Sequence, residues 1–214
     1  MIFDMDGVIT DTMPYHFRAW RKVYADEGFH ITKNEIYRRE GQPGYVTIKE
    51  IAQKYHLSFR GGKPKEILDK KEALFNKIAH RRFIRGSRSF LHFSKKRGFV
   101  LALVTGTARH EVRRILPREL FGLFSVIVTG DEVKKGKPDP EPYLLALKKL
   151  RMEPKDVVVF ENAPFGIISA KKAHLRCLAL ETYLPKTALK RADAVFSSFR
   201  ELCRKVNFSV LVND

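Results

Sequence analysis

Short apolar runs alternate with helical patterns along the second half of this chain. The runs occupy residues 99–104, 126–128, 157–160 and 177–180. Strands of a parallel sheet have such nearly continuous apolar runs, because helices cover both faces of the sheet. Residues 193–196 add a candidate edge strand. The pattern predicts an α/β core built on a parallel sheet.

A different pattern fills the stretch from about residue 13 to residue 83. Apolar residues recur there at three- and four-residue spacing, which predicts amphipathic helices. Gly28 ends the first helix, and Pro64 and Lys65 open the third. The three stripes are Phe17, Trp20, Val23 and Tyr24, then Ile48, Ile51, Ala52 and Tyr55, then Ile67, Leu68, Lys71, Leu74, Phe75 and Ile78. We therefore predict an all-helical insert at residues 13–83, within a core formed by residues 1–12 and 84–214.

The first strand of that core is unusually short. Only Met1, Ile2 and Phe3 precede the acidic residue Asp4, whereas strands usually have ~5–6 residues. One hypothesis is that the recorded start lacks a few residues. We then expect a longer chain to be more heat-stable.

Composition places the chain among globular proteins. Of its 214 residues, 44% are hydrophobic and 30% are charged, so neither disorder nor a coiled coil is expected. No apolar run approaches the ~18 residues of a membrane span, and Asp4 and Asp6 interrupt any signal peptide. We expect a cytoplasmic protein without a membrane partner, in which Cys177 and Cys203 are buried free thiols.

The chain carries a large positive charge. Its 41 Lys and Arg residues outnumber 24 Asp and Glu residues, which gives a formal net charge of +17. Such an excess concentrates anionic substrates and also supports loose nucleic-acid binding. The basic residues are spread along the chain in pairs and triplets, as at Lys95-Lys96-Arg97, which is typical of solvated faces. We therefore expect no dedicated nucleic-acid site.

Two carboxylates one residue apart follow the first strand. Gly7 permits the chain to bend out of the strand near Met5, which places Asp4 and Asp6 at the carboxyl end of the strand. Ligands of open α/β sheets bind at that end. Clustered carboxylates repel each other unless a cation lies between them, and hard oxygen ligands favour Mg²⁺. Taken alone, the pattern is also typical of a turn or a helix cap.

Polar groups follow the next apolar runs as well. Thr105 comes directly after one run and before Gly106, Lys137 lies in the loop after the next, and Glu161-Asn162 follow a third. A hydroxyl beside a glycine offers two donors for a phosphate oxygen, and Lys137 adds positive charge. Thr105 as a helix N-cap and Lys137 as a surface lysine are the simpler alternatives. Together the groups predict a phosphoryl-transfer site with its metal.

In this order the residues resemble the haloacid-dehalogenase-like hydrolase superfamily. Its four motifs are matched by Asp4-x-Asp6, Thr105, Lys137 and Glu161-Asn162. The stretch from Val159 to Ile167 looks like the fourth-motif loop of the subgroup that contains β-phosphoglucomutase and small phosphatases. The resemblance implies a Rossmann-like core with a helical cap domain that closes over the active site.

The resemblance also implies roles for single residues. Asp4 is the nucleophile that forms an aspartyl-phosphate, and Asp6 is the general acid and base. Mg²⁺ is held by the Asp4 carboxylate, the Asp6 backbone carbonyl and the Glu161-Asn162 segment. Thr105 and the Gly106 N–H grip the phosphate of the substrate, while Lys137 neutralises charge in the transition state.

Three positions are left open at this stage. His16 could face the active site or be structural, and Asp11 could tie down the first loop or cap the first helix of the insert. Asn162 stands where related enzymes usually have a second acidic residue, so we expect weaker metal binding.

The expected function is a Mg²⁺-dependent phosphatase for a small phosphorylated metabolite. The runner-up is a phosphosugar mutase, which the absence of arginine from residues 40–45 disfavours, because β-phosphoglucomutase has an arginine there that grips a second phosphate. A third alternative, from another class, is a non-catalytic, basic nucleic-acid-binding protein that keeps the fold.

Overall fold

One parallel sheet forms the centre of the molecule. The structure is a computed structural model, and it describes residues 1–59 and 61–208. In this part of the chain the strands are β1 (Ile2–Phe3), β2 (Ala102–Val104), β3 (Val126–Val128), β4 (Val158–Glu161), β5 (Arg176–Leu180) and β6 (Ala194–Phe196). Their order across the sheet is β3-β2-β1-β4-β5-β6, and every neighbouring pair is parallel. This is the Rossmann-like α/β arrangement that the sequence predicts.

The helices fall into two groups. The first four follow β1 and end before residue 83: α1 (Met13–Asp26), α2 (Lys33–Tyr37), α3 (Gly44–Lys54) and α4 (Lys63–Ile78). We call residues 13–78 the helical insert. The other helices are α5 (Ser87–Lys96), α6 (Arg109–Ile115), α7 (Arg118–Phe121), α8 (Glu141–Leu150), α9 (Pro164–Lys172) and α10 (Phe199–Lys205).

The core lies on both faces of the sheet. Side chains alternate along each strand, so that Phe3 and Phe160 point to one face while Ile2 and Val159 point to the other. The Phe3 and Phe160 rings stack at 4.7 Å and pack with side chains of α5, α6, α7 and α10. Helices α8, α9 and much of the helical insert pack with the Ile2 face.

The chain leaves the sheet and returns to it through two adjacent segments. Ile84 N donates to Ile9 O at 3.0 Å, and Asp11 N donates to Arg82 O at 2.9 Å. The crossing points thus lie close to the boundaries proposed at residues 12/13 and 83/84. The division into two domains at these positions stays a prediction.

The structure shifts several strand ends. The run at 99–104 forms a strand only from Ala102. Gly98 (φ 87°) lies in the turn that follows α5, and Val100, between this turn and the strand, is 41% exposed. The final strand begins at Ala194 rather than at residue 193, and β4 extends by one residue to include Glu161. The first strand has two residues, as short as its sequence indicates.

Helix α2 was missed by the periodicity argument. It is only five residues long, but Thr32 and Glu35 form a capping box at its start. The Thr-x-x-Glu spacing in the sequence is the signal that could have found it.

The cysteine expectation is half right. Both cysteines are free thiols, and Cys177 is buried, whereas Cys203 is exposed on α10. Cys203 is exposed because it lies on the outer side of α10, of which only Phe199 and Leu202 face the core. Among the described residues, no helix is long and apolar enough to span a membrane.

Candidate active site

The predicted site residues meet at the carboxyl ends of the central strands. Phe3 is in register with Leu103 of β2 and with Phe160 of β4. The residues that follow these strands therefore lie at one edge of the sheet. Strand β1 is also where the strand order reverses, which is the usual ligand crevice of such sheets. The predicted residues Asp4, Asp6, Thr105, Lys137, Glu161 and Asn162 are all buried there.

A tight turn after β1 brings Asp6 back toward Asp4. Ile9 N and Thr10 N both donate to Met5 O at 2.9 Å, and Gly7 has φ 94°. A side chain at Gly7 would also collide with Asn162, since a Cβ would lie 2.1 Å from Asn162 Nδ2. Glycine is thus required at this position both by backbone conformation and by space.

Lys137 is a buried cation between two carboxylates. Its Nζ donates to Asp4 Oδ1 at 2.6 Å, to Glu161 Oε1 at 2.7 Å and to Val104 O at 3.2 Å. Burial lowers the pKa of Lys137, but the two carboxylates outweigh burial and raise it, so the ammonium keeps its proton. The interpretation as a surface lysine is therefore wrong.

Glu161 uses both of its oxygens to hold neighbouring groups. Oε1 accepts from Lys137 and from the Tyr143 hydroxyl at 2.8 Å, and Oε2 accepts from Asn162 N at 3.0 Å. These bonds engage both carboxylate oxygens of Glu161, and one of them holds the Lys137 ammonium in position. The side-chain oxygen of Asn162 has no hydrogen-bond partner within the described residues.

Asp6 is surrounded by hydroxyl donors. Thr107 Oγ1 donates to Asp6 Oδ2 at 2.9 Å, and Thr12 Oγ1 donates to Oδ1. Thr105 Oγ1 is farther away, at 3.5 Å from Oδ2, and Thr105 does not cap a helix, because α6 starts after Ala108. Burial raises the pKa of Asp6, but the nearby His16 ring and the Thr12 and Thr107 hydroxyls outweigh burial and lower it.

His16 faces the site rather than the interior of the insert. Its Nε2 lies 3.7 Å from Asp6 Oδ1, and its ring stacks on Phe75 at 3.9 Å. Burial lowers the pKa of His16 and the Lys71 ammonium lowers it further, so the ring is neutral at neutral pH. Of its two possible roles, the structure favours contact with the site.

The buried oxygens fit a divalent cation. Asp4 Oδ2, Asn162 Oδ1 and Glu40 Oε1 are buried and have no hydrogen-bond donor among the described residues. Burial raises the pKa of Asp4 in spite of Lys137, and the neighbouring Glu161 and Asp6 carboxylates raise it further. Hard oxygen ligands of this kind suit Mg²⁺. No three His, Cys, Asp or Glu side chains among residues 1–59 and 61–208 are grouped to hold an ion.

A cavity of about 280 Å³ opens beside Asp6, between the helical insert and the core. Lys71 of α4 and Glu111 of α6 line it, and both are buried. The Lys71 ammonium lies over the rings of Trp20 and Phe75, while Glu111 Oε1 has no partner in the described part of the chain. The cavity therefore offers both a cation and an acceptor to the part of a substrate that lies beyond its phosphate.

Several contributors to the site were not predicted from the sequence. Thr107, two residues after Thr105, repeats the hydroxyl pattern and could have been found. Glu40, Lys71, Glu111 and Tyr143 have no local signal, because only the packing of the insert, α6 and α8 brings them to the site. The insert approaches Gly106 closely, since a Cβ at this position would lie 2.7 Å from the Gly41 carbonyl oxygen.

Asp11, whose role the sequence leaves open, contacts two side chains from other parts of the chain. Its Oδ1 accepts from the Tyr183 hydroxyl at 2.5 Å, and Oδ2 lies 3.4 Å from Arg82 Nε. The residue preceding α1 is Thr12, which makes no side-chain capping bond. Asp11 therefore ties the first loop to the rest of the core, and its interpretation as a helix cap is wrong.

Known proteins are similar to this chain over most of its length. The family model described as haloacid dehalogenase-like hydrolase matches residues 1–180. A phosphorylated carbohydrates phosphatase from Thermotoga maritima is 38% identical over 180 residues, covering 81% of this chain and 80% of that protein. The β-phosphoglucomutase of Bacillus subtilis is 29% identical over 183 residues, covering 81% of this chain and 79% of that protein.

Solved structures show the same fold. A protein from Bacteroides vulgatus, provisionally assigned as a β-phosphoglucomutase, superposes with a TM-score of 0.86 at 32% identity. The match covers 98% of this chain and 87% of that protein.

Proposed function

Because this chain belongs to the haloacid dehalogenase-like hydrolase family and is a phosphoric monoester hydrolase, we propose that it is a Mg²⁺-dependent phosphatase of a small phosphorylated sugar or polyol. One observation carries the proposal. The buried Lys137 ammonium bridges Asp4 and Glu161 at the reversal point of the sheet, beside Asp6. A nucleophile, an acid and a fixed cation are the parts that phosphoryl transfer needs.

Asp4 and Asp6 divide the chemistry between them. A carboxylate oxygen of Asp4 attacks phosphorus, the ester P–O bond breaks, and Asp6 gives its proton to the leaving oxygen. Asp6 then takes a proton from water, whose oxygen attacks the aspartyl-phosphate and releases phosphate and free Asp4. The approach of an anionic phosphate raises the pKa of Asp6, because like charges favour the neutral carboxyl.

The remaining core residues bind and orient the phosphate. Lys137 neutralises charge on the phosphoryl oxygens, and Glu161 holds its ammonium in place. Thr105 and the Gly106 N–H bind the phosphoryl oxygens. The Asp4 carboxylate, the Asp6 backbone carbonyl and the Asn162 amide oxygen would hold Mg²⁺. When bound, Mg²⁺ offsets the repulsion between the anionic nucleophile and the anionic substrate.

The cavity supports a hydroxylated leaving group of sugar size. A volume of about 280 Å³ accommodates a small molecule, and buried charged groups such as Lys71 and Glu111 bind hydroxyls well. The helical insert supplies much of this lining, so we propose that it acts as a cap that selects the substrate. The name of the Thermotoga maritima relative points to the same substrate class.

The mutase alternative needs a place for a second phosphate. Arg39, just before the segment that lacks arginine, does line the cavity. Its Nε donates to Glu50 at 3.0 Å and one of its NH groups donates to the Glu35 carbonyl at 2.8 Å, so it is committed within the insert. Conversion of a hexose 1-phosphate to the 6-phosphate with a bisphosphate primer would support the mutase instead.

The non-catalytic nucleic-acid-binding alternative explains only the net charge. It gives no reason for the buried cluster of Asp4, Asp6 and Lys137, which is costly to maintain without a catalytic use. Strong, salt-dependent DNA binding together with no phosphate release from any small ester would favour it.

The proposed function is tested by phosphate release from a panel of sugar and polyol phosphates. We expect turnover that EDTA abolishes and added Mg²⁺ restores. Asp4→Asn should lower kcat by about a thousandfold or more while the protein stays folded by circular dichroism, because an amide is a poor nucleophile. Asp6→Asn should retain more activity toward aryl phosphates, whose leaving groups need no proton. Near-normal turnover by Asp4→Asn would exclude the covalent mechanism.

A further inference from the structure

A carboxylate of the helical insert is buried in the active site. Glu40 lies in the turn between α2 and α3 and is only 6% exposed. Its Oε2 accepts from Asn162 Nδ2 at 2.9 Å, and its Oε1 has no partner in the described residues. The turn is seated on the core, because Gly41 (φ 78°) packs its Cα against the Lys137 side chain, where a Cβ would lie 2.6 Å from Cδ.

Glu40 has no basic partner of its own. Lys137 contacts Asp4 and Glu161, and Arg39 is bound to Glu50 and to a backbone carbonyl. No salt bridge to Glu40 exists within residues 1–59 and 61–208. A buried carboxylate without a cation is expensive, so this arrangement is incomplete as it stands.

The unpartnered oxygens come from both parts of the molecule. Asp4 Oδ2 and Asn162 Oδ1 belong to the core, while Glu40 Oε1 belongs to the insert. Asn162 is a neutral amide, and the carboxylate that touches it is Glu40. The negative charge that the core lacks at residue 162 is thus delivered by the insert.

We propose that Glu40 is a metal-binding residue which supplies, from the helical insert, the carboxylate that Asn162 does not provide. This inference rests on the metal site of the proposed function. It makes metal binding and docking of the insert mutually dependent, because the full ligand set exists only when the insert is seated on the core. The bound cation in turn holds the insert over the substrate.

The test measures Mn²⁺ binding to the substrate-free protein by electron paramagnetic resonance, and Mg²⁺ binding by the rise in Tm that it causes. Glu40→Gln should weaken Mn²⁺ binding by about tenfold or more. In the double variant Glu40→Gln/Asn162→Asp the carboxylate is moved back to the core. We expect its Mn²⁺ affinity to return to within about threefold of the original protein.

Glu72→Gln is the matched control, because Glu72 is another insert carboxylate that lines the same cavity but makes no contact with Asn162. It should change Mn²⁺ affinity by less than about twofold. Circular dichroism and the Tm of the metal-free variants establish that each is folded. Each Glu→Gln substitution preserves the size of the side chain. A recovered Mn²⁺ affinity in the double variant would be a gain of function, which misfolding does not produce.

Three results would overturn the inference. Unchanged Mn²⁺ affinity in Glu40→Gln would remove Glu40 from the site. Equal weakening by Glu40→Gln and Glu72→Gln would reduce the effect to general charge. Failure of the double variant to recover would show that Glu40 acts by another route, such as docking alone. Absence of Mn²⁺ and Mg²⁺ binding in the unaltered protein would instead refute the metal in the proposed function, and this inference with it.

Discussion

At the scale of single residues, two buried tyrosines differ in the use of their hydroxyls. Tyr143 and Tyr24 are both fully buried. The Tyr143 hydroxyl donates to Glu161, which holds Lys137, whereas the Tyr24 hydroxyl has no partner among the described residues. The pair therefore separates the contribution of an ordered charge network from that of ordinary burial.

Tyr143→Phe should lower both stability and turnover. A hydrogen bond to a charged acceptor contributes about 1.5–3 kcal/mol, and its loss also frees Glu161 from its position. We expect kcat for an aryl phosphate to fall about three- to tenfold and the Tm to decrease. Tyr24→Phe is the control and should leave kcat unchanged, with a Tm equal to or above that of the original protein. Equal effects of the two substitutions would contradict a specific role for the Tyr143 hydroxyl.

At the scale of elements, the start of α2 depends on one carboxylate. Glu35 accepts hydrogen bonds from Thr32 N at 2.7 Å and from the Tyr55 hydroxyl at 2.8 Å, and it forms an ion pair with Lys54. It thereby joins α2 to the end of α3. Burial would raise the pKa of Glu35, but the Lys54, Thr32 and Tyr55 donors outweigh burial and lower the pKa from 4.5 to about 2.

Glu35→Gln should destabilise the protein in a pH-dependent way. Because the folded-state pKa is depressed, the stabilisation is complete above pH 4.5 and is lost as the pH falls toward 2. We expect a loss on the order of 2 kcal/mol at pH 7, measured by denaturant unfolding, that shrinks progressively below pH 4.5.

The control for this element is Glu66→Gln on α4, whose exposed ion pair with Lys70 is screened by solvent. It should change stability little at any pH. A deficit in Glu35→Gln that stays constant down to pH 3 would assign the effect to packing rather than to charge.

At the scale of the whole molecule, the net charge of +17 surrounds a site that binds an anion. Long-range attraction accelerates the encounter with an anionic substrate, and salt screens that attraction over about 8 Å at physiological ionic strength. We therefore expect the charge to act on the rate of substrate capture.

Raising the ionic strength should lower kcat/KM for a sugar phosphate several-fold. The value of kcat at saturating substrate should stay nearly constant, because the chemical step takes place among buried groups that salt does not reach. Steady-state assays from low salt to about 0.3 M NaCl measure both kcat and kcat/KM. A kcat/KM that does not respond to salt would show that the surface charge has no part in substrate capture.

The sequence by itself determined the sheet and the residues at its edge. Buried parallel strands have apolar runs that are visible without a structure, and a polar residue that ends such a run must lie at the carboxyl edge of the sheet. Asp4, Thr105 and Glu161 could be placed for that reason. The capping box of α2 was equally visible but was overlooked.

Only the tertiary structure decided what these residues contact. Glu40, Lys71 and Tyr143 reach the site through the packing of separate elements, and no local pattern encodes a contact such as that between Glu40 and Asn162, which lie on different parts of the chain. The same holds for the difference between Glu161, whose carboxylate oxygens accept hydrogen bonds, and Asn162, whose side-chain oxygen has no partner in the part of the chain that the structure describes. Periodicity records which side of an element is buried, whereas the partner of a buried polar atom depends on how the elements meet.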